Sequence, residues 1–544
     1  MSNKSIQTFW RGALIVGVVT LALFAVATGS VAQGEIQPVN SGFDPTAHGF
    51  SFENYVNDAN TKNLTPEEVK RLFGDKACAS QEGGQCILSP VAKQWMEEIN
   101  QAMAGGHCEG MAVLSALFYT GKLKSSDFGT EQVKDLKLAG NEKLQREIAF
   151  WWATQATQPT RGAVIKATPK EIVAQLVEAF KPGAKADVTY SIGIYKRDGT
   201  GGHAVTPYAL EDKGNGVFAI LVYDNNYPGL SRVIEVDINA NTWKYEASTN
   251  PSVQADLYEG DAQTKSLDLT PSSARMSAQV CTFCEGGRTA YRIGGMAAQA
   301  TQYNEIYIVG GGVRVLITDD KGRRLGRVDG RLVNEIPGAD AQFYKGSVEP
   351  WARDVEPVYH VPVGIKFTVT LDGTNLKQET AAEIAMIGPG YSVDVQDIKL
   401  APGQKDTFDV SPDGTKLSYK PGKSESPDIV LADEGQDNVD WEFYVKGFEL
   451  EEGGSINVML DTKKGQLQLN TVGNKKAGTY QLVVTRYDDK SVQEFGGELK
   501  LEPADTVYLD YLKWQGNGKP LTVEIDYKSD GSIDESADLE DLQK

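Results

Sequence analysis

Gly105-Gly106-His107-Cys108-Glu109-Gly110-Met111-Ala112 runs straight into Val113, Leu114, Ala116, Leu117, Phe118 and Tyr119 with almost no polar interruption. Two glycines carry the backbone through a tight turn, and the apolar run behind them predicts a helix buried on all sides. Cys108 falls on its first turn, where unpaired N–H groups and a partial positive charge favour a thiolate. The plain alternative is a small apolar residue opening a core helix.

The other cysteines bear on that choice. The chain has 544 residues and five cysteines. Cys78 and Cys86 bracket a short loop containing Gly83-Gly84, and Cys281-Thr282-Phe283-Cys284 is a Cys-x-x-Cys. Both pairs read as local disulfides of an oxidising compartment. A redox dithiol at Cys281 and Cys284 lacks the expected strand-then-helix context, and zinc held by all four would require the two loops to meet in space. Cys108 is then the odd thiol. Kept through export, it either does chemistry or is fully buried.

Export itself is read from the start of the chain. Lys4 and Arg11 precede an apolar run over residues 13–27, and Ser30-Val31-Ala32 supplies small residues for cleavage, so residues 1–32 are expected to be a secretory signal peptide. An uncleaved N-terminal membrane anchor is the minority reading. The formal charge is −20, and loss of a leader with two bases and no acid makes it more negative. That balance excludes nucleic acid and strong association with an anionic membrane, and suits a soluble, secreted or cell-surface protein.

Taken in order, Thr65-Pro66 and Ser89-Pro90 are helix starts, cap and first turn. Val91, Trp95, Ile99 and Met103 recur at helical spacing and lead to the Cys108 helix. Further helices are predicted over residues 141–154 and 168–180. Beyond Gly183 the period becomes that of strands, at residues 188–195, 203–210 and 217–223. With the turn centred between Lys213 and Gly214, His203 falls opposite Asp224 of an antiparallel pair; a bulge at Thr206-Pro207 would put Asn225 there instead. After about residue 260 the chain reads as short alternating strands, with a Pro/Ser/Gly/Lys linker over residues 420–427 and a sandwich-like spacing beyond it. The expected division is 1–32 signal peptide, 33–260 hydrolase domain, 261–425 β-rich domain, and 426–544 β-sandwich (Ig-like) domain with an acidic tail.

Cysteine catalysis needs a thiolate, a base and a group that orients the base. Cys108, His203 and Asp224 supply these in that chain order, with about 95 residues between the first two. A buried helix headed by cysteine, a Gly-His-Ala-Val strand start and an Asp-Asn at the end of the next strand resemble the papain-like cysteine peptidase superfamily, in particular its bacterial double-glycine-type secreted members. The resemblance spans roughly residues 85–230. It implies an α+β papain-like N-terminal domain ahead of the β-rich domains, so a multidomain α+β and β fold. It implies Cys108 as nucleophile, His203 as proton shuttle and Asp224 as orienter, with Asn225 as the alternative third member. Gln101, the nearest glutamine before the cysteine, would then stabilise an oxyanion beside the Cys108 N–H.

The expectation is therefore an exported cysteine peptidase acting on peptide or protein substrates, cell-wall peptides among them, with no required cofactor. Alternatives are a transglutaminase-like or cell-wall amidase activity, and an inactive papain-like scaffold used for binding or adhesion. His107, His48 and His360 read as ordinary core or surface residues. Asp526, Asp530 and Asp534 around Gly531 form a weak calcium-loop candidate, with Lys528 where a ligand would stand.

Overall fold

Helix caps set the N-terminal architecture. In the computed structural model, which describes residues 37–183, 188–246, 257–284, 291–293, 296–298, 301–346, 355–435, 439–488, 491–514, 516 and 519–542, a two-residue strand β1 (Val39–Asn40) and a single helical turn α1 (Pro45–His48) precede α2 (Pro66–Phe73). Thr65 and Glu68 close a capping box on α2. The disulfide hairpin of β2 (Cys78–Glu82) and β3 (Gln85–Leu88) leads to α3 (Pro90–Ala102), capped by Ser89 Oγ on Ala92 N–H at 3.2 Å. Next come α4 (Cys108–Tyr119), α5 (Glu142–Ala153), a short β4 (Ile165–Lys166) and α6 (Pro169–Phe180), whose start carries a second capping box, Thr168 with Glu171. The predicted signal peptide lies outside the described residues, among which no helix is long and apolar enough to cross a membrane.

Helix α4 is the centre of this part. Every residue from Cys108 to Phe118 is buried, as a helix apolar on all faces requires. Its closest neighbour is α5: a Cβ on Gly110 would lie 2.0 Å from the Ile148 carbonyl oxygen, so only glycine lets the two backbones meet. The opposite face rests on an antiparallel sheet.

That sheet is built from β5 (Tyr190–Ile194), β6 (His203–Asp212), β7 (Val217–Tyr223), β8 (Ser231–Asp237), β9 (Thr242–Glu246), β10 (Leu257–Asp261) and β11 (Leu267–Pro271). Its order is β10-β9-β8-β7-β6-β5-β11-β4, with β1 added alongside β6. The sheet thus runs past residue 260 and ends in a short α7 (Ser272–Arg275).

Among the described residues from Tyr303 to Asp541 β-strands predominate, with hairpins alternating between two facing antiparallel layers. The hairpin of Thr380–Gly388 and Tyr391–Leu400 lies in one layer, that of Lys405–Val410 and Lys416–Lys420 in the other, and the next, Asp428–Glu434 with Asp440–Lys446, returns to the first. Strands before and after residues 420–427 pair directly, Tyr391–Leu400 with Asp428–Glu434 and Lys416–Lys420 with Ser455–Asp461, so that segment lies within a continuous ladder. Alternate residues, such as Ile456, Val458 and Leu460, point into one shared core between the layers. The last strand, Glu535–Asp541, pairs with both layers.

Both cysteine pairs are disulfides, Cys78–Cys86 and Cys281–Cys284, and Cys108 is the free thiol, buried. The disulfides point to an oxidising environment. The aspartates of the calcium-loop candidate bond within their own turn. Asp526 accepts the backbone N–H of Asp530 and of Gly531, each at 2.9 Å, and Asp534 accepts that of Tyr527 at 2.8 Å. Among the described residues no three His, Cys, Asp or Glu side chains are grouped as a metal site.

Candidate active site

The turn before α4 delivers Cys108 to the sheet. Gly106 has φ of 133°, a conformation open to glycine. His107, at the N-cap, makes no side-chain bond to the first turn of the helix. It faces away instead, stacked on Tyr55 with ring centroids 4.0 Å apart, its Nδ1 2.8 Å from Tyr55 O and its Nε2 2.9 Å from Asn63 Oδ1. Burial pulls its pKa down to about 4. The first-turn N–H groups of α4 are therefore left without a capping side chain beside the thiol.

Small residues let α4 approach β6. Cys108 and Ala112 pack on Ala204, whose N–H donates to Cys108 Sγ at 3.3 Å, and Thr206 Oγ1 donates to Ala112 O at 2.9 Å. His203 is the first residue of β6, aligned with Ile194 of β5. Its Nε2 lies 2.9 Å from Asp224 Oδ1, while Nδ1 has no hydrogen-bond partner among the described residues. The ring stands within electrostatic range of Cys108. Burial opposes a charged imidazole and is the largest single effect on it. The Asp224 and Cys108 charges together outweigh burial and push the His203 pKa up to about 10. Asp224 is fully buried; burial raises its pKa most, but His203 and the hydrogen bonds it accepts hold it below the usual carboxylate value.

The register that brings His203 to Asp224 differs from the expected one. Thr206 faces Tyr223, a bulge at Tyr208 shifts the ladder, and β7 ends before Asp224. Asp224 reaches back from the turn beyond the strand and is held there by the Asn226 N–H at 2.9 Å and the Tyr245 hydroxyl. Asn225 does not stand in that position. Its Nδ2 donates to Cys108 O at 2.9 Å and to Ala204 O at 3.1 Å, tying α4 to β6. Gln101 is exposed near the end of α3, on the wall of a cavity of about 280 Å³ that also touches Gly105 and Gly202.

Several polar groups beside the thiol carried no sequence signal. Glu109 is fully buried against Arg275, with Ser191 Oγ donating to it at 3.1 Å. Asp268 accepts the Tyr195 hydroxyl at 3.0 Å. Into this cluster comes Lys345 from the later half of the chain, its Nζ 3.3 Å from Glu109, 3.4 Å from Asp268 and 3.1 Å from Thr270 Oγ1. Residues 344–346 run beside Gly106 and Gly202, with the Gly346 N–H donating to Gly202 O at 3.2 Å. Chain order could flag none of these, because each partner comes from a separate element.

Compared with family models, curated proteins and solved structures, the chain finds no match.

Proposed function

We propose that this chain is a cysteine hydrolase of papain-like type whose substrates are peptides or proteins. The observation that supports this most is the convergence of one free thiol at an uncapped helix start with an imidazole whose Nε2 is engaged by a buried carboxylate. That engagement leaves Nδ1 for the thiol side.

In the proposed reaction the Cys108 thiolate attacks the acyl carbon and forms the C–S bond. The first-turn N–H groups of α4 face the developing oxyanion. The imidazolium of His203 gives its Nδ1 proton to the leaving amine as the C–N bond breaks, which leaves a thioester. Water, losing a proton to Nδ1, then attacks the thioester carbon; the C–S bond breaks, the carboxylic acid leaves, and the Cys108 thiolate and His203 imidazolium are restored. Asp224 holds the ring and its charge throughout.

The test is intact-mass labelling with an epoxysuccinyl cysteine probe and with iodoacetamide near neutral pH, comparing wild type, Cys108→Ala and His203→Ala. One adduct at Cys108, slowed about 10²-fold or more without His203, is expected. A Cys108 that stays unmodified in the native wild type and in a Gly346→Val variant alike overturns the reading. Burial favours a second reading, an idle scaffold that binds through its surfaces, since Cys108 is 0% and His203 2% exposed; that outcome would select it.

A further inference from the structure

Residues 344–346, which bend at Lys345, are held through the backbone. Gln155 Oε1 accepts the Lys345 N–H at 2.8 Å and Gln155 Nε2 donates to the Lys345 carbonyl at 3.3 Å. Gly202, the residue before His203, accepts the Gly346 N–H. Main-chain bonds of this kind bind any sequence, and the pockets for side chains supply selectivity.

The segment also runs tight against the nucleophile loop. A Cβ on Gly346 would lie 2.7 Å from Gly106 O and 3.2 Å from Trp152 Nε1, an indole nitrogen that is buried and without a partner among the described residues. On the other side, a Cβ on Gly202 would lie 2.8 Å from Tyr344 O. The peptide therefore passes between the turn that precedes Cys108 and the turn that precedes His203.

The side chain between them enters an anionic pocket. Lys345 is 3% exposed, with its stem over Gly193, where a Cβ would stand 2.9 Å from Lys345 Cδ. At the end of the pocket stand Glu109, which pairs with Arg275, and Asp268, which accepts the Tyr195 hydroxyl, and Lys345 Nζ reaches both carboxylates. Without Lys345 the cluster holds an uncompensated buried negative charge, a costly state that a second cationic side chain would relieve.

We propose, resting on the hydrolase reading above, that this cleft recognises peptides carrying lysine followed by glycine, and that residues 344–346 are its internal occupant. Glu109, Asp268 and Thr270 form the pocket for the lysine side chain, and Gln155 with Gly202 holds the peptide backbone. The adjoining cavity, lined by Gly105, Gly202, Tyr307, Tyr344, Gly346 and Val358, leaves room for further residues of a bound peptide. The resting chain is self-occupied, so access to Cys108 requires the segment to leave.

The experiment uses the full chain as wild type, Gly346→Val, which crowds Gly106 without touching the charges, and Gln155→Ala, which loosens the backbone grip without added bulk. Near-UV circular dichroism selects the folded variants. Cys108 modification by iodoacetamide is timed alone and with acetyl-Tyr-Lys-Gly-amide, its norleucine analogue or its glutamate analogue. Either folded variant is expected to react about tenfold faster than wild type. In Gly346→Val, which keeps Gln155, the lysine peptide, and neither analogue, should slow that reaction, and adding Asp268→Asn should abolish the difference. Equal rates in wild type and variants, or equal protection by lysine and norleucine peptides, overturns the inference and leaves the hydrolase reading standing. No modification of Cys108 in any folded form brings down both.

Discussion

At the scale of single residues, the proposed chemistry rests on the buried Asp224 carboxylate that bonds the buried His203 imidazole. Replacing Asp224 by Ala should lower the rate of Cys108 alkylation, and of any peptide turnover, by about 10²–10⁴-fold, because the ring loses both its orientation and the charge that stabilises imidazolium. A fall of less than threefold would show that the carboxylate is structural. With the His203 pKa pushed up to about 10, the alkaline limb of the alkylation profile should lie near pH 10, and should move toward 6.5 in Asp224→Asn. Cys108, His203 and Asp224 were legible as a set from residue type and order. The brace made by Asn225 and the Tyr245 hydroxyl on Asp224 were not, since a side chain's partner across a turn depends on a register that the bulge at Tyr208 alters.

At the scale of elements, α4 works because it can lie against two neighbours at once. Gly110→Ala would drive a methyl into the Ile148 carbonyl, and we expect it to cost about 1–3 kcal/mol. Chemical unfolding with an unchanged midpoint would contradict the packing described. Asn225→Ala should cost a similar amount, about 1–3 kcal/mol, because two buried carbonyls that hold α4 to β6 lose their donor. Helix starts were readable to within a residue, since Ser89, Asn141 and Thr168 cap by local geometry. Strand partners were less so: the ladder through residues 420–427 is made by strands far apart in sequence.

At the scale of the whole molecule, the helical part and the sheets share a core. Tyr307, Val358, Ile387 and Ala432 pack in one cluster with Trp95, Ile99 and Met103 of the α3 region, and Ser89 Oγ donates to Glu434 at 2.6 Å. A chain ending at residue 300 should expose that face and be insoluble or unfolded; a soluble, two-state product would refute the shared core. The contact also buries acids. Burial, then neighbouring carboxylates such as Glu383, push Glu98 and Asp394 up to about 8, with Gln94 donating to both. The folded state then holds more protons than the unfolded one from about pH 4 to 8, so stability falls as pH rises there. His203, raised from 6.5, adds a contribution that is full below pH 6.5 and lost toward pH 10. Asp224, lowered, acts only in acid. Melting temperature should therefore peak at weakly acidic pH and decline toward pH 9, and Glu98→Gln should raise it by a few degrees at pH 8 and hardly at pH 5. A melting temperature that is flat or rises over that range would be the contrary result.

What the amino-acid sequence determined by itself was what local physics settles. Capping residues and glycines placed the helices, alternation placed the strands around His203, cysteine spacing paired the disulfides, and one unpaired thiol at a helix start marked the candidate site. The tertiary structure alone decided which distant groups meet: Tyr245 on Asp224, Asn225 on Cys108, and Lys345 in the pocket of Glu109 and Asp268. Those contacts depend on how sheets stack and where a bulge shifts a ladder, and small terms spread over the whole chain settle both.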